Sequence, residues 1–143
     1  MRISVTVALI LGFLSSPFLG CGDDDFGGAL PEMFVEDSVT FPTTQLGSFS
    51  ERTLTIENRG GGDLVIADLI FTNETNTAEF SRAEVALPLT ISSGDFYNLT
   101  LRYAPIDLGD DQGGLRIVNN SRNGEVVVRL RTAGATSQLV ANP

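Results

Sequence analysis

The chain has 143 residues, and 42% of them are hydrophobic, which allows one globular domain with a core and excludes a disordered composition. It carries 18 acidic residues, 9 basic residues and no histidine, so the formal net charge at pH 7 is −9. This charge disfavours nucleic acids and anionic membrane surfaces as partners, and the lack of histidine removes the commonest general base and zinc ligand.

The N-terminus is typical of an export signal. Arg2 provides a positive start, and residues 3–14 form an apolar run that is too short to span a bilayer permanently. The Phe-Leu-Gly-Cys sequence ending at Cys21 resembles a bacterial lipobox, which implies cleavage after Gly20 and lipidation of Cys21. The alternative is an ordinary secretory signal that leaves a free Cys21, but the chain has no second cysteine for a disulfide. We predict that residues 1–20 are a lipoprotein signal peptide.

Residues 21–32 are predicted to be the lipidated cysteine and a flexible acidic tether. The sequence GDDDFGGALPE is rich in Asp and Gly and has too few apolar residues to form a core. Its three consecutive Asp residues, 23–25, lack the ligand spacing of an EF-hand, so we interpret them as a solvated spacer rather than a calcium site. Gly22 stands where Asp would retain a lipoprotein at the inner membrane, which favours the outer membrane.

From residue 33 onward, apolar residues recur at every second position, as expected of strands with one buried face. Leu54 and Ile56 share one face, as do Leu99, Leu101 and Tyr103. Candidate strands separated by turn residues lie at 33–41, 50–58, 63–71, 86–91, 96–103, 114–119 and 125–132.

This pattern predicts an all-β fold, an immunoglobulin-like antiparallel β-sandwich of seven to eight strands over residues 33–135, followed by a tail at 136–143. The domain contains no cysteine and no tryptophan, which excludes an antibody-type domain with an inter-sheet disulfide. We interpret the glycines at 60–62 as a hairpin turn and give Asn58 a structural role beside them, because positions with positive φ angles in a tight turn favour Gly or Asn.

The order of several short motifs, from about residue 39 to residue 134, resembles the abnormal-spindle–Hydin domain, called choice-of-anchor D in bacterial surface proteins. The matching positions are the Asn-x-Gly turn followed by Asp-Leu, an isolated Glu-Phe, and an aromatic-x-Pro motif followed by Gly. They are carried by Asn58, Gly60, Asp63, Leu64, Phe80, Tyr103, Pro105 and Gly109. The resemblance implies a sandwich used for interaction or scaffolding, with no catalytic residues to carry over.

One acidic loop leaves an alternative open. Asp107, Asp110 and Asp111 in the sequence DLGDDQGG are weak calcium candidates, although a solvated turn also explains them, and we predict no metal and no cofactor. A catalytic pair of carboxylates is formally possible among 18 acidic residues, but we predict that the protein is not an enzyme.

These observations together predict a lipid-anchored protein of the bacterial cell envelope that presents one domain for protein binding or structural support. The alternative is a non-catalytic accessory subunit of an envelope enzyme or transport complex. In both cases we expect an envelope protein as partner, and attachment to the membrane through the lipid on Cys21.

Overall fold

The computed structural model describes residues 28–137, which form eleven strands and no helix. The predicted signal peptide, the lipidation site Cys21, tether residues 22–27 and tail residues 138–143 lie outside the described residues. The strands are β1 (Met33–Phe34), β2 (Ser38–Phe41), β3 (Thr44–Gln45), β4 (Ser50–Asn58), β5 (Leu64–Phe71), β6 (Phe80–Arg82), β7 (Leu89–Ile91), β8 (Phe96–Tyr103), β9 (Gln112–Asn119), β10 (Glu125–Thr132) and β11 (Ala135–Thr136). Within this range there is no helix long and apolar enough to cross a bilayer.

Two packed sheets form the sandwich. The four-stranded sheet has the order β1-β4-β8-β6, the five-stranded sheet has the order β2-β10-β9-β5-β7, and β11 pairs with β3 in a small third sheet. The predicted all-β, immunoglobulin-like fold is confirmed. The prediction of seven to eight antiparallel strands was too simple, because there are eleven and because β2/β10 and β3/β11 pair in parallel.

The predicted alternation of buried and exposed side chains is confirmed in the long strands. Leu54 lies opposite Leu99 in the β4/β8 register, and both side chains are fully buried. The core between the sheets consists mainly of aliphatic and aromatic side chains, namely Met33, Val39, Phe41, Leu54, Ile56, Leu64, Ile66, Leu69, Phe80, Ile91, Leu99, Leu101, Tyr103, Leu115, Ile117, Val128 and Leu130.

The predicted first strand, 33–41, is two strands in different sheets. Met33 pairs with Asn58 in the four-stranded sheet, whereas Val39 pairs with Leu130 in the five-stranded sheet. The chain crosses between the sheets at residues 35–37, so both halves bury apolar side chains without forming a continuous strand. The short strands β3, β6 and β11 were not predicted, because two or three residues show no periodicity of their own.

The glycines at 60–62 do not form a hairpin turn. They connect β4 in the four-stranded sheet to β5 in the five-stranded sheet, and none of the three has a positive φ angle. These positions are instead crowded by the segment from Ala29 to Glu32. A Cβ atom at Gly60 would collide with the backbone of Leu30 and Glu32, and one at Gly62 would collide with the carbonyl oxygen of Ala29. Close backbone approach, rather than turn conformation, therefore requires glycine here.

Residues 29–32, assigned from composition to the tether, are packed on the domain. The Leu30 carbonyl accepts a hydrogen bond from Gly61 N–H at 3.1 Å, and the Glu32 carbonyl accepts one from Arg59 N–H at 2.8 Å. Pro31 is buried. We call residues 29–32 the N-terminal strap, and it is part of the folded unit. At the other end, Thr136 pairs with Gln45, so pairing extends one residue into the predicted tail.

Candidate functional site

The motif residues singled out in the sequence lie at two opposite ends of the sandwich. Asn58 closes strand β4, whereas Tyr103 pairs with Ser50 at the beginning of the same strand. Eight residue steps of about 3.3 Å separate these positions by roughly 26 Å along the strand. We call them the Asn58 end, which also carries Gly60 and Leu64, and the Tyr103 end, which also carries Pro105 and Gly109.

Asn58 organises its end through its buried side-chain amide. Oδ1 accepts hydrogen bonds from Gly60 N–H at 3.0 Å and Glu32 N–H at 3.3 Å, and Nδ2 donates to the carbonyls of Gly62 at 2.7 Å and Ile91 at 3.0 Å. One side chain thus joins the N-terminal strap, the inter-sheet connection and β7. Asn58 has a negative φ angle, so the prediction of a positive-φ turn residue was wrong. Its function here is to satisfy four backbone groups in a buried position.

Leu64 has a simpler role at the same end. It begins β5, is fully buried, and pairs with Ile91 of β7. The Asp-Leu element of the motif therefore places an apolar side chain in the core immediately after the glycine connection. This arrangement is structural, and its residues offer no reactive group.

Tyr103 anchors the opposite end. Its ring is fully buried and packs against Phe80 and Phe41, with centroid distances of 5.0 Å and 5.8 Å. Its hydroxyl donates a hydrogen bond to the Asp111 carboxylate at 2.5 Å. Burial raises the pKa of Tyr103 well above its usual value, and the hydrogen bond to Asp111 and the negative charge of that carboxylate raise it further. The phenol therefore stays protonated and acts as a donor.

The loop after Tyr103, residues 104–111, is held at its beginning by Glu79. The Glu79 carbonyl accepts a hydrogen bond from Ala104 N–H at 2.8 Å, and its carboxylate accepts one from Ile106 N–H at 2.9 Å. Glu79 is only 2% exposed, and its second carboxylate oxygen accepts from Asn76 at 2.7 Å. The buried charge is thus compensated by neutral donors, as such a group requires. Pro105, between the two clamped amides, is buried.

The end of the 104–111 loop is held by two further contacts. Asp111 N–H donates to Thr132 Oγ1 at 2.8 Å, and Ala135 N–H donates to the Gly109 carbonyl at 2.9 Å. Gly109 has a φ angle of 145°, a conformation that side chains with a Cβ rarely adopt. The backbone of the loop is therefore fixed at both ends and near its middle.

The 104–111 loop exposes large apolar side chains although its backbone is fixed. Ile106 is 63% exposed and Leu108 is 60% exposed. Phe49 lies at the same end of the sandwich, because it precedes Ser50, the partner of Tyr103 in the β4/β8 register, and it is also exposed. Because the backbone of the loop is already held, contact with a partner costs little additional loop entropy, as expected of a recognition surface.

The weak calcium candidates are not brought together. Asp111 is engaged by the Tyr103 hydroxyl, and Asp110 lies beside Gly134. Within residues 28–137 there is no cluster of three acidic, cysteine or histidine side chains placed to hold a metal ion. The hydrogen bonds of the loop to Glu79, Thr132 and Ala135 account for its backbone arrangement.

Glu79 and Thr132 were missed by sequence reasoning. The Glu-Phe pair was noted for Phe80, but the neighbouring Glu79 clamps the loop. The sequence signal that could have indicated Glu79 is the presence of a charged residue directly before a buried aromatic residue. Nothing in the sequence around Thr132 indicates its pairing with Asp111, which is 21 positions away.

Comparison with solved structures supports the fold. The ASH/PapD-like domain 7 of human CEP192 has a TM-score of 0.52 and 16% identity, and the match covers 96% of this chain and 97% of that domain. The Pseudomonas aeruginosa CupB2 chaperone has a TM-score of 0.51 and 17% identity over 76% of this chain and 57% of its own. The Vibrio cholerae VesB protease has a TM-score of 0.55 and 12% identity over 72% of this chain but only 31% of its own. These low identities show a shared fold alone.

No curated protein matches the sequence. A family model does: the model for ASH, described as "Abnormal spindle-like microcephaly-assoc'd, ASPM-SPD-2-Hydin", matches residues 28–126. This range includes the N-terminal strap, Asn58, Tyr103 and the 104–111 loop. Since the match covers well over half of the chain and contains the motif residues at both ends of the sandwich, this chain belongs to the ASH family.

Proposed function

We propose that this protein is anchored to the bacterial cell envelope by lipid on Cys21 and uses its ASH domain to bind another envelope protein. The N-terminal sequence supports the anchor, because an apolar run of export-signal length is followed directly by the lipobox-like sequence ending at Cys21. Several acyl chains on one residue hold a protein to a bilayer far more strongly than one chain does, since each buried methylene contributes about 0.8 kcal/mol. The residue after the cysteine, Gly22, favours the outer membrane.

The observation that carries the binding function is the position of the 104–111 loop relative to the N-terminal strap. The strap enters the domain at the Asn58 end, so an anchor upstream of it holds that end toward the membrane. The Tyr103 end then faces away, with Ile106 and Leu108 exposed on a fixed backbone. This geometry presents the loop to a partner outside the lipid headgroups.

The proposed function is non-catalytic. The chain contains no histidine, and Asp111 and Glu79 at the Tyr103 end are engaged in holding the loop. The ASH family is non-catalytic, and the likeness to a protease extends to less than a third of that protease. Asp107 and Asp110 beside the apolar tips, together with the net charge of −9, favour a partner surface with basic groups around an apolar centre.

The anchor is tested by Cys21→Ser in a diderm bacterium, with metabolic acyl labelling and fractionation of the two membranes. We expect labelling and detergent partitioning of the wild type in the outer-membrane fraction, and loss of both in the variant. Persistent labelling of Cys21→Ser would overturn the lipid anchor.

The binding surface is tested by photocrosslinking groups introduced at positions 106 and 108, with position 127 as the matched control. Val127 is also an exposed aliphatic residue, but it lies on β10 away from the loop. We expect one envelope protein to be crosslinked from 106 and 108 but not from 127. The same protein should copurify with the wild type and be lost in the Ile106→Ser/Leu108→Ser variant. Equal crosslinking from all three positions would contradict it. Stoichiometric purification with a larger enzyme or transport complex would identify the protein as its accessory subunit.

A further inference from the structure

Strand β8 has one edge that is paired along only half of its length. On one side, β4 pairs with all of residues 96–103. On the other side, β6 pairs only with residues 101–103, and a single further bond joins Ala83 N–H to the Thr100 carbonyl at 2.9 Å. Within residues 28–137, no strand continues the sheet beside residues 96–99. We call this segment the open β8 edge.

The backbone groups at the open β8 edge can be assigned from the register. The Thr100 carbonyl points toward β6, because it accepts the bond from Ala83 N–H. Backbone groups alternate direction along an antiparallel strand, so the N–H and C=O groups of Phe96 and Asn98 point the same way as those of Thr100. These groups therefore face away from β4, where the described chain provides no strand. An edge of this kind is a template for another extended chain.

Other free edges among the described residues are charged, short or blocked. β4 pairs with β1 only at residues 57–58, but its free stretch carries Glu51 and Arg52, and the stretch of β5 beyond its pairing with β7 carries Asp68. At the β2 edge, the Thr40 carbonyl accepts a hydrogen bond from Arg52 Nε at 3.1 Å, and Pro42 follows the strand. β1 has two residues, and β7 has three and follows Pro88. By contrast, the Phe-Tyr-Asn-Leu sequence of the open β8 edge contains neither a charged residue nor a proline, the usual devices that prevent pairing.

We propose that the open β8 edge binds an extended segment of a partner protein as an added β-strand. Only an extended backbone supplies donors and acceptors at the spacing of the free groups on Phe96 and Asn98. The side chain of Phe96 is 62% exposed and offers an apolar contact next to them. Asp95 precedes Phe96 at one end of the edge, and Glu84 follows Ala83, whose N–H bonds to Thr100, at the other; both are exposed. The segment that fits is apolar at its centre and carries Lys or Arg at its ends.

A second copy of this chain fits the edge poorly. Antiparallel self-pairing of four residues provides few hydrogen bonds and much less buried area than a stable dimer requires. It would also bring together two molecules that each carry a large excess of acidic residues, with Asp95 and Glu84 of one copy near the same acidic residues of the other. The open β8 edge is separate from the 104–111 loop, so strand addition there is a binding activity beyond the proposed function and does not depend on it.

The first test is amide hydrogen exchange of the full chain in detergent. We expect the N–H groups of Phe96 and Asn98 to exchange at least tenfold faster than those of Tyr97 and Leu99, because the latter point toward β4 and the former point away from it. Equal protection of all four amides, in the absence of any peptide, would show that the edge is already covered and would overturn the proposal.

The second test is selection of ten-residue peptides from a displayed random library on the full chain, followed by synthesis of the enriched sequences. We expect basic-flanked apolar peptides that slow exchange at Phe96 and Asn98. Binding should weaken at least tenfold with Asn98→Pro, which removes an outward N–H, but not with Asn98→Ala. Methylation of alternate peptide nitrogens, which keeps every side chain, should have the same effect as Asn98→Pro and needs no protein variant.

Four outcomes would contradict strand addition by a partner segment. Enriched peptides that protect amides elsewhere, or that bind equally well after N-methylation, would show that strand addition is wrong. A failure to enrich any peptide, or a dimer whose own contact protects Phe96 and Asn98, would overturn the partner assignment. None of these outcomes bears on crosslinking from positions 106 and 108.

Discussion

At the scale of single residues, the most informative positions are buried polar groups whose partners are distant in sequence. Asn58, Glu79 and Tyr103 each make hydrogen bonds that hold a connection or a loop in place. In a small sandwich such groups specify the conformation of the ends, because a buried polar atom without a partner costs free energy.

Asn58→Ala should lower the free energy of unfolding by about 3 kcal/mol, because the backbone groups that bond to the amide lose their partner in a buried site. Chemical denaturation measures this change. Asn98→Ala is the matched control, since Asn98 is exposed and its side chain bonds only to Thr55 Oγ1. Equal losses in the two variants would contradict the role assigned to Asn58.

The protein should lose stability as the pH rises above about 10. The pKa of Tyr103 is raised in the folded state, so the folded chain keeps a proton that the unfolded chain releases there, and alkaline pH favours unfolding. The chain contains no lysine, and arginine stays charged in this range, so few other groups contribute. We expect the free energy of unfolding to fall by up to about 1.4 kcal/mol per pH unit.

Denaturation at pH 9, 10 and 11 measures this slope. Tyr103→Phe should flatten it, although that variant starts from a lower stability, whereas Tyr97→Phe removes the only other tyrosine and should keep it. If Tyr97→Phe flattens the slope and Tyr103→Phe does not, the Tyr103 hydroxyl is not held as described.

At the scale of secondary-structure elements, β8 is the clearest case of sequence periodicity that survives in the structure. Leu101 is buried in the core, whereas Thr100 lies on the opposite, outer face of the sheet. Leu101→Asp should lower the free energy of unfolding by about 4 kcal/mol, because it buries an unpaired charge. Thr100→Asp should change it by less than about 1 kcal/mol. Similar shifts of melting temperature for the two would indicate a wrong register.

The N-terminal strap is an element that the sequence did not reveal. Gly62→Ala should destabilise the domain by about 2 kcal/mol, because the added methyl group would displace Ala29 and break the adjacent hydrogen bonds of Leu30. Gly28→Ala is the control, since an added Cβ there meets nothing within 4 Å. The N–H of Gly61 should exchange faster in Gly62→Ala but not in Gly28→Ala. Unchanged exchange in Gly62→Ala would show that the strap tolerates the methyl group.

At the scale of the whole molecule, the two ends of the sandwich should differ in distance from the membrane. The chain has one cysteine, and its lipidation would leave no thiol, so single cysteines at Arg122 and Leu108 can carry a spin label. Arg122 lies in a turn near the strap, at the Asn58 end, and Leu108 lies on the loop at the Tyr103 end. In vesicles, a lipid-borne relaxation agent should broaden the label at 122 more strongly than the label at 108. The reverse order would place the loop at the membrane.

The fold class and the positions of the long strands could be predicted from the pattern of residues alone, before any tertiary contact was known. Strands such as β4, β8 and β10 are long enough for alternation to be visible, and their buried side chains, Leu54 and Leu101 among them, face the core as predicted. Alternation is a local property, so it can be recognised before any partner strand is known. The positive φ angles expected at Asn58 and at the glycines 60–62 are not found.

Contacts between residues that are distant in sequence could not be predicted from the sequence. The glycines at 60–62 are required by the strap that lies against them, and Glu79 and Thr132 act through partners more than 20 positions away. The switch of the first predicted strand between sheets and the open β8 edge depend likewise on where neighbouring strands end. Contacts of this kind depend on the packing of two sheets, and periodicity within one strand carries no information about them.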